Sequence, residues 1–93
     1  METVTISANI NEKKKAEFFQ TMESLTGLVK NQCNDLDIKV KDDNTLIIKI
    51  TFDGKDQMEK NFYTGEFNIL KGTVKSLCKN VRIKVDDSLM NNN

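Results

Sequence analysis

Residues 35–52 read DLDIKVKDDNTLIIKITF, which is two alternating segments separated by a short polar run. One side of the first segment carries Leu36, Ile38 and Val40, and one side of the second carries Leu46, Ile48, Ile50 and Phe52. Such a period of two is typical of strands with one buried face. The run Asp42-Asp43-Asn44 tolerates left-handed turn conformations. The stretch therefore predicts an antiparallel hairpin with one apolar face.

Similar alternation occurs near both ends of the chain. Apolar residues recur at every second position as Val4, Ile6, Ala8 and Ile10, and again as Val81, Ile83 and Val85. Each run predicts one more strand. The chain is thus expected to contain four strands, of which the central two form the hairpin.

Helical spacing fills the two intervals between these strands. The first interval carries an apolar stripe of Phe18, Met22, Leu25 and Val29, and Asn11 is a candidate N-cap before it. The second carries Met58, Phe62, Phe67, Leu70, Val74 and Leu77. Asp53 or Asp56 is its candidate N-cap. Because Thr64-Gly65 interrupts the second stripe, two helical pieces are expected there.

The order of elements is βαββαβ, which predicts an α+β, ferredoxin-like fold. We expect a four-stranded antiparallel sheet with the helices on one face, formed by a single domain over residues 1–93. Its core spans about residues 3–86, and residues 87–93 form a flexible tail. The other sheet face is predicted to carry Thr3, Thr5, Ser7, Asn9, Asp35, Asp37, Lys39, Ile47, Lys49, Thr51, Arg82 and Lys84.

Composition argues against several functional classes. Lys and Arg total 14, as do Asp and Glu, so no net field favours nucleic acid or an anionic membrane. No segment approaches the length of a membrane-spanning helix, and we expect a cytoplasmic protein. The chain has no His, which removes the commonest general base and metal ligand.

Two local features have alternative interpretations. Cys33 and Cys78 are expected to be reduced structural thiols, although two cysteines also permit one disulfide. Asp35 and Asp37 share one strand face, where they form either a weak site for a hard cation or ion pairs with Lys39, Lys49 or Lys84. Ion pairing is the simpler interpretation, and no metal site is predicted.

Residues 52–67, FDGKDQMEKNFYTGEF, resemble a segment of the antibiotic biosynthesis monooxygenase-like family with the pattern W-x-S-x-x-x-L-x-x-H-x-x-S-x-x-F. The corresponding residues, in order, are Phe52, Gly54, Met58, Asn61, Thr64 and Phe67. Only the final Phe is identical. The order of elements is also similar to that family over about residues 3–86.

This resemblance implies a homodimeric α/β barrel in which the free sheet faces of two subunits meet. It also implies cofactor-independent oxidation of a small aromatic or quinol-type metabolite, with Asn61 and Tyr63 as donors to the substrate oxyanion and Arg82 as a charged anchor. Phe52 and Phe62 would line the substrate site. Each residue also has a purely structural interpretation, as core, cap or exposed strand position.

The sequence also supports a second functional hypothesis, a non-catalytic dimeric module that binds a small ligand or is purely structural. It is favoured by the absence of the family's Trp and His and by the charged sheet face. The haem-degrading branch of the family relies on those two residue types, so haem is not an expected cofactor.

Overall fold

The computed structural model of the chain describes residues 1–63 and 65–87. Within these residues, the four strands are β1 (Glu2–Ile10), β2 (Asp35–Val40), β3 (Thr45–Phe52) and β4 (Cys78–Asp87), and the three helices are α1 (Lys15–Val29), α2 (Lys55–Phe62) and α3 (Glu66–Leu77). Short 3₁₀ segments, Glu12–Lys14 and Lys30–Gln32, flank α1. Thr64 and residues 88–93 lie outside the described residues, and so does nearly all of the predicted tail.

The strands form one antiparallel sheet in the order β2-β3-β1-β4. With the helices on one face, this arrangement confirms the predicted ferredoxin-like α+β fold. The second helical region consists of two helices, α2 and α3, as the interruption at Thr64-Gly65 predicts. Gly65 precedes α3 with φ 60°, a left-handed conformation that glycine adopts without steric cost.

The core lies between the sheet and the helices. Alternate residues of β1 and β3 are almost fully buried on this side, namely Val4, Ile6, Ala8, Ile10, Leu46, Ile48, Ile50 and Phe52. The stripe of α1, Phe18, Met22, Leu25 and Val29, packs onto them together with α3. Burial of apolar side chains from both layers is the dominant favourable term for such a fold.

The opposite face of the sheet is not covered by any described element, and we call it the open face. Its members, fixed by strand register and alternation, are Thr3, Thr5, Ser7, Asn9, Asp35, Asp37, Lys39, Thr45, Ile47, Lys49, Thr51, Lys79, Arg82, Lys84 and Asp86. The predicted open-face residues all lie there.

Helix capping differs in part from the prediction. The Asn11 side chain accepts a hydrogen bond from the Lys13 amide at 3.1 Å, but it caps the 3₁₀ segment that precedes α1. Neither Asp53 nor Asp56 caps α2, which begins after Gly54 without a side-chain cap. The Asp53 amide instead donates to the Gln57 side chain at 2.6 Å, so a residue inside the first turn stabilises this end.

The hairpin between β2 and β3 closes through Asn44, whose φ is 66°. Its amide donates to the Lys41 carbonyl at 3.0 Å, and its carbonyl accepts from the Ile10 amide at 2.9 Å. The Asn44 side-chain oxygen is buried and has no hydrogen-bond partner among the described residues. The turn thus depends on the backbone conformation of Asn44 and not on its side chain.

We predict that Asn44→Gly leaves the free energy of unfolding within about 1 kcal/mol of the parent, because glycine accepts the left-handed conformation. Asn44→Val should lower the free energy of unfolding by at least about 1–2 kcal/mol, because a β-branched residue is strained in the left-handed conformation. Urea denaturation measures both changes. Asp42→Val in the same turn is the control, since the φ of Asp42 is not positive. Equal losses for the two valine variants would contradict this account.

Candidate functional site

The predicted site residues are divided between the two layers of the molecule. Phe52 and Phe62 lie in the core, Asn61 and Tyr63 lie at the end of α2, and Arg82 lies on the open face. The sheet therefore separates Arg82 from the other four. They do not form one cluster within a single chain.

The aromatic residues of this set are packed against each other. Phe52, Phe62 and Phe67 are at most 1% exposed, and their ring centroids are 5.6–6.1 Å apart. Tyr63 is half-exposed, and its ring forms a T-shaped contact with that of Phe62, with the ring centroids 5.3 Å apart. The space beside Phe52 is therefore filled by side chains, and the accessible member of the group is Tyr63.

Asn61 links α2 to the segment that follows α1. Its side-chain nitrogen donates to the Gln32 carbonyl at 2.8 Å. The side chain of Gln32 in turn donates to Glu66 at the start of α3, and this bond is the main cause that lowers the pKa of Glu66. Asn61 is thus already engaged in a structural hydrogen bond.

The register of the sheet arranges the open face in rows that run across the four strands from β2 to β4. The first row is Asp35, Thr51, Thr3 and Asp86; the second is Asp37, Lys49, Thr5 and Lys84; the third is Lys39, Ile47, Ser7 and Arg82. Beyond the third row lie Thr45, Asn9 and Lys79. The face is therefore acidic at one end and basic at the other.

Ion pairs are scarce on this face. Lys84 and Asp86 approach to 3.9 Å, but Asp35 and Asp37 form no ion pair with any described residue. The predicted pairing of these aspartates with Lys39, Lys49 or Lys84 is therefore wrong for the single chain. Their side chains are exposed, and a hydrated pair in water gains too little to fix two long side chains together.

A β-bulge shapes the basic end of the open face. The pairing of β1 with β4 shifts between Ser7 and Asn9, where Asn80 is the extra residue with φ 54°. The Asn80 side-chain nitrogen donates to the Asn9 side-chain oxygen at 3.1 Å. Asparagine tolerates the left-handed conformation that this bulge requires.

Next to the bulge is a depression of about 270 Å³, which we call the Arg82 hollow. Its lining consists of Ser7, Ala8, Asn9, Thr45, Asn80 and Arg82. Two hydroxyls, two carboxamides and one guanidinium therefore surround it, and each of these groups can donate a hydrogen bond. Of the predicted site residues, Arg82 lies here.

A second depression of about 290 Å³ lies between the end of α1 and the start of β2. It is lined by Thr26, Lys30, Asn31, Asn34, Asp35 and Leu36. Because it carries one cation and one carboxylate, its charge favours neither an anionic nor a cationic ligand. The Arg82 hollow has the more definite chemistry.

Both cysteines are free thiols in the structure. Burial raises the pKa of Cys78. The pKa of Cys33 is also raised, mainly by burial and to a smaller extent by the negative charge of the nearby Asp35. Raised pKa values keep both thiols protonated at neutral pH, which makes them poor nucleophiles.

Among the described residues, no group of three or more His, Cys, Asp and Glu side chains could hold a metal ion. No helix within that part of the chain is long and apolar enough to cross a membrane.

No protein-family model matches the sequence, and no curated protein matches it either. Solved structures do share its fold. A conserved protein from Methanosarcina mazei Go1 has a TM-score of 0.79 at 13% identity, with 91% of this chain and 89% of that chain covered. A structure described as an antibiotic biosynthesis monooxygenase has a TM-score of 0.80 at 12% identity, covering 95% and 98%.

A protein from Caulobacter crescentus CB15, described as a candidate antibiotic biosynthesis monooxygenase, has a TM-score of 0.79 at 15% identity, with 94% of this chain and 88% of that chain covered. At such identities the similarity establishes a common fold. The resemblance suggested by residues 52–67 is therefore confirmed at the level of the fold.

We predict that Phe52→Ala lowers the free energy of unfolding by about 3–5 kcal/mol, because it opens a cavity in a close-packed aromatic cluster. Tyr63→Ala, at the exposed edge of the same cluster, should cost about 1 kcal/mol or less. Urea denaturation of the two variants measures the difference. A Phe52→Ala protein as stable as the parent would show that Phe52 lines an open pocket and not the core.

Proposed function

We propose that this chain is an antibiotic biosynthesis monooxygenase-like protein that functions as a homodimer, with the open faces of two copies enclosing a small ligand. The observation that carries the proposal is a whole sheet face left uncovered by the described residues, with acidic and basic ends that complement each other. The dimeric arrangement also agrees with what the family resemblance implies. The structural neighbours support it through their common fold.

Strand β2 indicates how two copies would be oriented. Asp35 and Asp37 lie in its first half, whereas Lys39 and the following Lys41 lie toward its other end. A two-fold axis lying between the sheets and running across the strands would place Asp37 over Lys39 of the second copy. An axis parallel to the strands would lay each row over the same row of the second copy, so that Lys39 meets Arg82, and bringing these like charges together costs binding energy. The first arrangement is therefore favoured.

The interface would be polar and partly hydrated. Four small polar residues of the open face are already partly buried in the single chain, because neighbouring side chains shield them; these are Thr3, Thr5, Ser7 and Thr51. Ile47 is the apolar residue among the open-face side chains of the two central strands. The free energy needed to dehydrate the surrounding charges fully would exceed the free energy gained when they form ion pairs. Bridging water is therefore expected between the sheets.

We predict that the protein sediments at twice its chain mass of 10.6 kDa at micromolar concentration. Lys39→Glu should weaken the dimer at least about tenfold by opposing Asp37 of the second copy, and Asp37→Lys in the same chain should restore it. Lys13→Glu, an exposed change on the 3₁₀ segment before α1, is the control. Sedimentation at several concentrations measures the dissociation constants.

Two outcomes would contradict the proposal. A monomeric parent protein would exclude the enclosed site altogether. A dimer that tolerates Lys39→Glu as well as it tolerates Lys13→Glu would exclude the open face as the interface.

A second candidate function is cofactor-independent monooxygenation of a small aromatic or quinol-type metabolite at the same enclosed face. The names of several structural neighbours favour it. In such a reaction the substrate anion supplies the electrons to dioxygen, and the protein stabilises the oxyanion and excludes water. Arg82 is the donor in the hollow. Asn61 and Tyr63 lie on the helix side of the sheet, so within one chain neither donates to a substrate held at the open face.

For this candidate, oxygen uptake with a panel of hydroquinones should exceed the protein-free rate and should fall at least about tenfold in Arg82→Gln, which removes a charged donor. Lys13→Gln removes one positive charge from the exposed 3₁₀ segment before α1 and serves as the control. Rates equal to those without protein would leave the non-catalytic ligand-binding dimer as the function.

A further inference from the structure

We infer that the ligand of the enclosed face is a small organic carboxylate, held by Arg82 in the Arg82 hollow and oriented by the side chains around the bulge. The inference rests on the proposed function, because it names the ligand class of that same face. Three features of the hollow support a carboxylate ligand. They are the local charge of the hollow, the unused hydrogen-bond donors in its lining and the effect of covering the open face with a second copy.

Local charge around the hollow is positive. Arg82 lies in its lining, while Lys79 and Lys39 lie in the same two rows of the sheet. Of the three aspartates of the open face, Asp35 and Asp86 occupy the first row, at the opposite end, and Asp37 lies in the second row. The chain has no net charge, but on this one surface the positive and negative side chains are concentrated at different ends. A negatively charged ligand is attracted to the hollow end of the face.

These cations also lack ion pairs within residues 1–63 and 65–87. Arg82, Lys79 and Lys39 form no ion pair with any residue in the described part of the chain. The guanidinium group of Arg82 presents its donors in a planar fork, which matches the two oxygens of a carboxylate. Arg82 is thus available for a bidentate contact that lysine would not reproduce.

The bulge supplies neutral donors beside that charge. Because the Asn9 side-chain oxygen accepts from Asn80, the Asn9 side-chain nitrogen remains free to donate. The hydroxyls of Ser7 and Thr45 lie in the same lining. A hollow of about 270 Å³ is large enough for one small molecule and too small for an extended one. These groups fit the carboxylate end of a monocyclic acid.

Covering the open face strengthens the requirement for an anion. In the orientation favoured by β2, the third row of one copy lies over the second row of the other, so that Arg82 approaches Lys84 of the second copy. Two cations brought together with loss of water repel each other. A carboxylate between them removes this repulsion, whereas a neutral ligand does not. The dimer itself therefore selects for negative charge.

The test is a titration of the ¹⁵N-labelled protein with benzoate and, separately, with benzamide, its neutral analogue of similar shape. Benzoate should shift the amide signals of Ser7, Asn9, Asn80 and Arg82, and benzamide should bind at least about tenfold more weakly, since it lacks the charge-assisted contact. Arg82→Gln should weaken benzoate binding at least about tenfold, and Lys13→Gln, on the exposed 3₁₀ segment before α1, less than about threefold.

Several results would overturn the inference. These are equal binding of benzoate and benzamide, equal losses in the two variants, shifts confined to residues outside the hollow, and no saturable shift at millimolar benzoate. Well-dispersed spectra establish that both variants are folded. Sedimentation of the same samples reports dimerisation separately. A dimer that binds no benzoate would refute only the inference that the ligand is a carboxylate. A monomer would refute the proposal that two open faces enclose a site.

Discussion

The fold depends on burying one face of a four-stranded sheet under helices. Val4, Ile6, Ile48 and Ile50, in the two central strands, are completely inaccessible to solvent, and the residues between them face the other way. Successive side chains of a strand point to opposite faces, so burying one face necessarily presents the other. Among the described residues, three helices lie on one side of the sheet and none on the other, so that part of the chain forms two layers and leaves the open face uncovered.

That uncovered face connects the fold to function. A sheet face that met only water would not need its acidic and basic residues separated into rows, because isolated exposed charges contribute little to stability. The separation along β2 and β4 becomes physically important when a second surface lies against it. The bulge at Asn80 then has a further effect, since it interrupts regular pairing next to Arg82 and widens the basic end into a hollow.

Much of this architecture could be predicted from sequence because it follows from periodicity. The alternation in β1, β2 and β3 and the stripe of α1 predicted those elements and their buried faces correctly. The start of β4 could not be predicted by simple alternation, because Cys78 and Val81 are three residues apart yet both pack on the helix side. That odd spacing is the sequence signal of the bulge. Ser7, Asn9 and Thr45 were missed as residues of the Arg82 hollow because alternation does not give the pairing register of the strands, and Asn80 was missed because the bulge brings it to Asn9.

The central claim is that two copies meet through their open faces. Ile47 tests this claim directly, because it is an apolar residue in the third row of that face, on a central strand, and nuclear magnetic resonance can detect contacts of its methyl groups. An isotope-filtered nuclear Overhauser experiment on an equal mixture of ¹³C-labelled and unlabelled protein should show contacts from the Ile47 methyl groups to protons of the unlabelled copy. The account is contradicted if those methyl groups show only contacts within their own chain and to water in a sample that sedimentation shows to be dimeric.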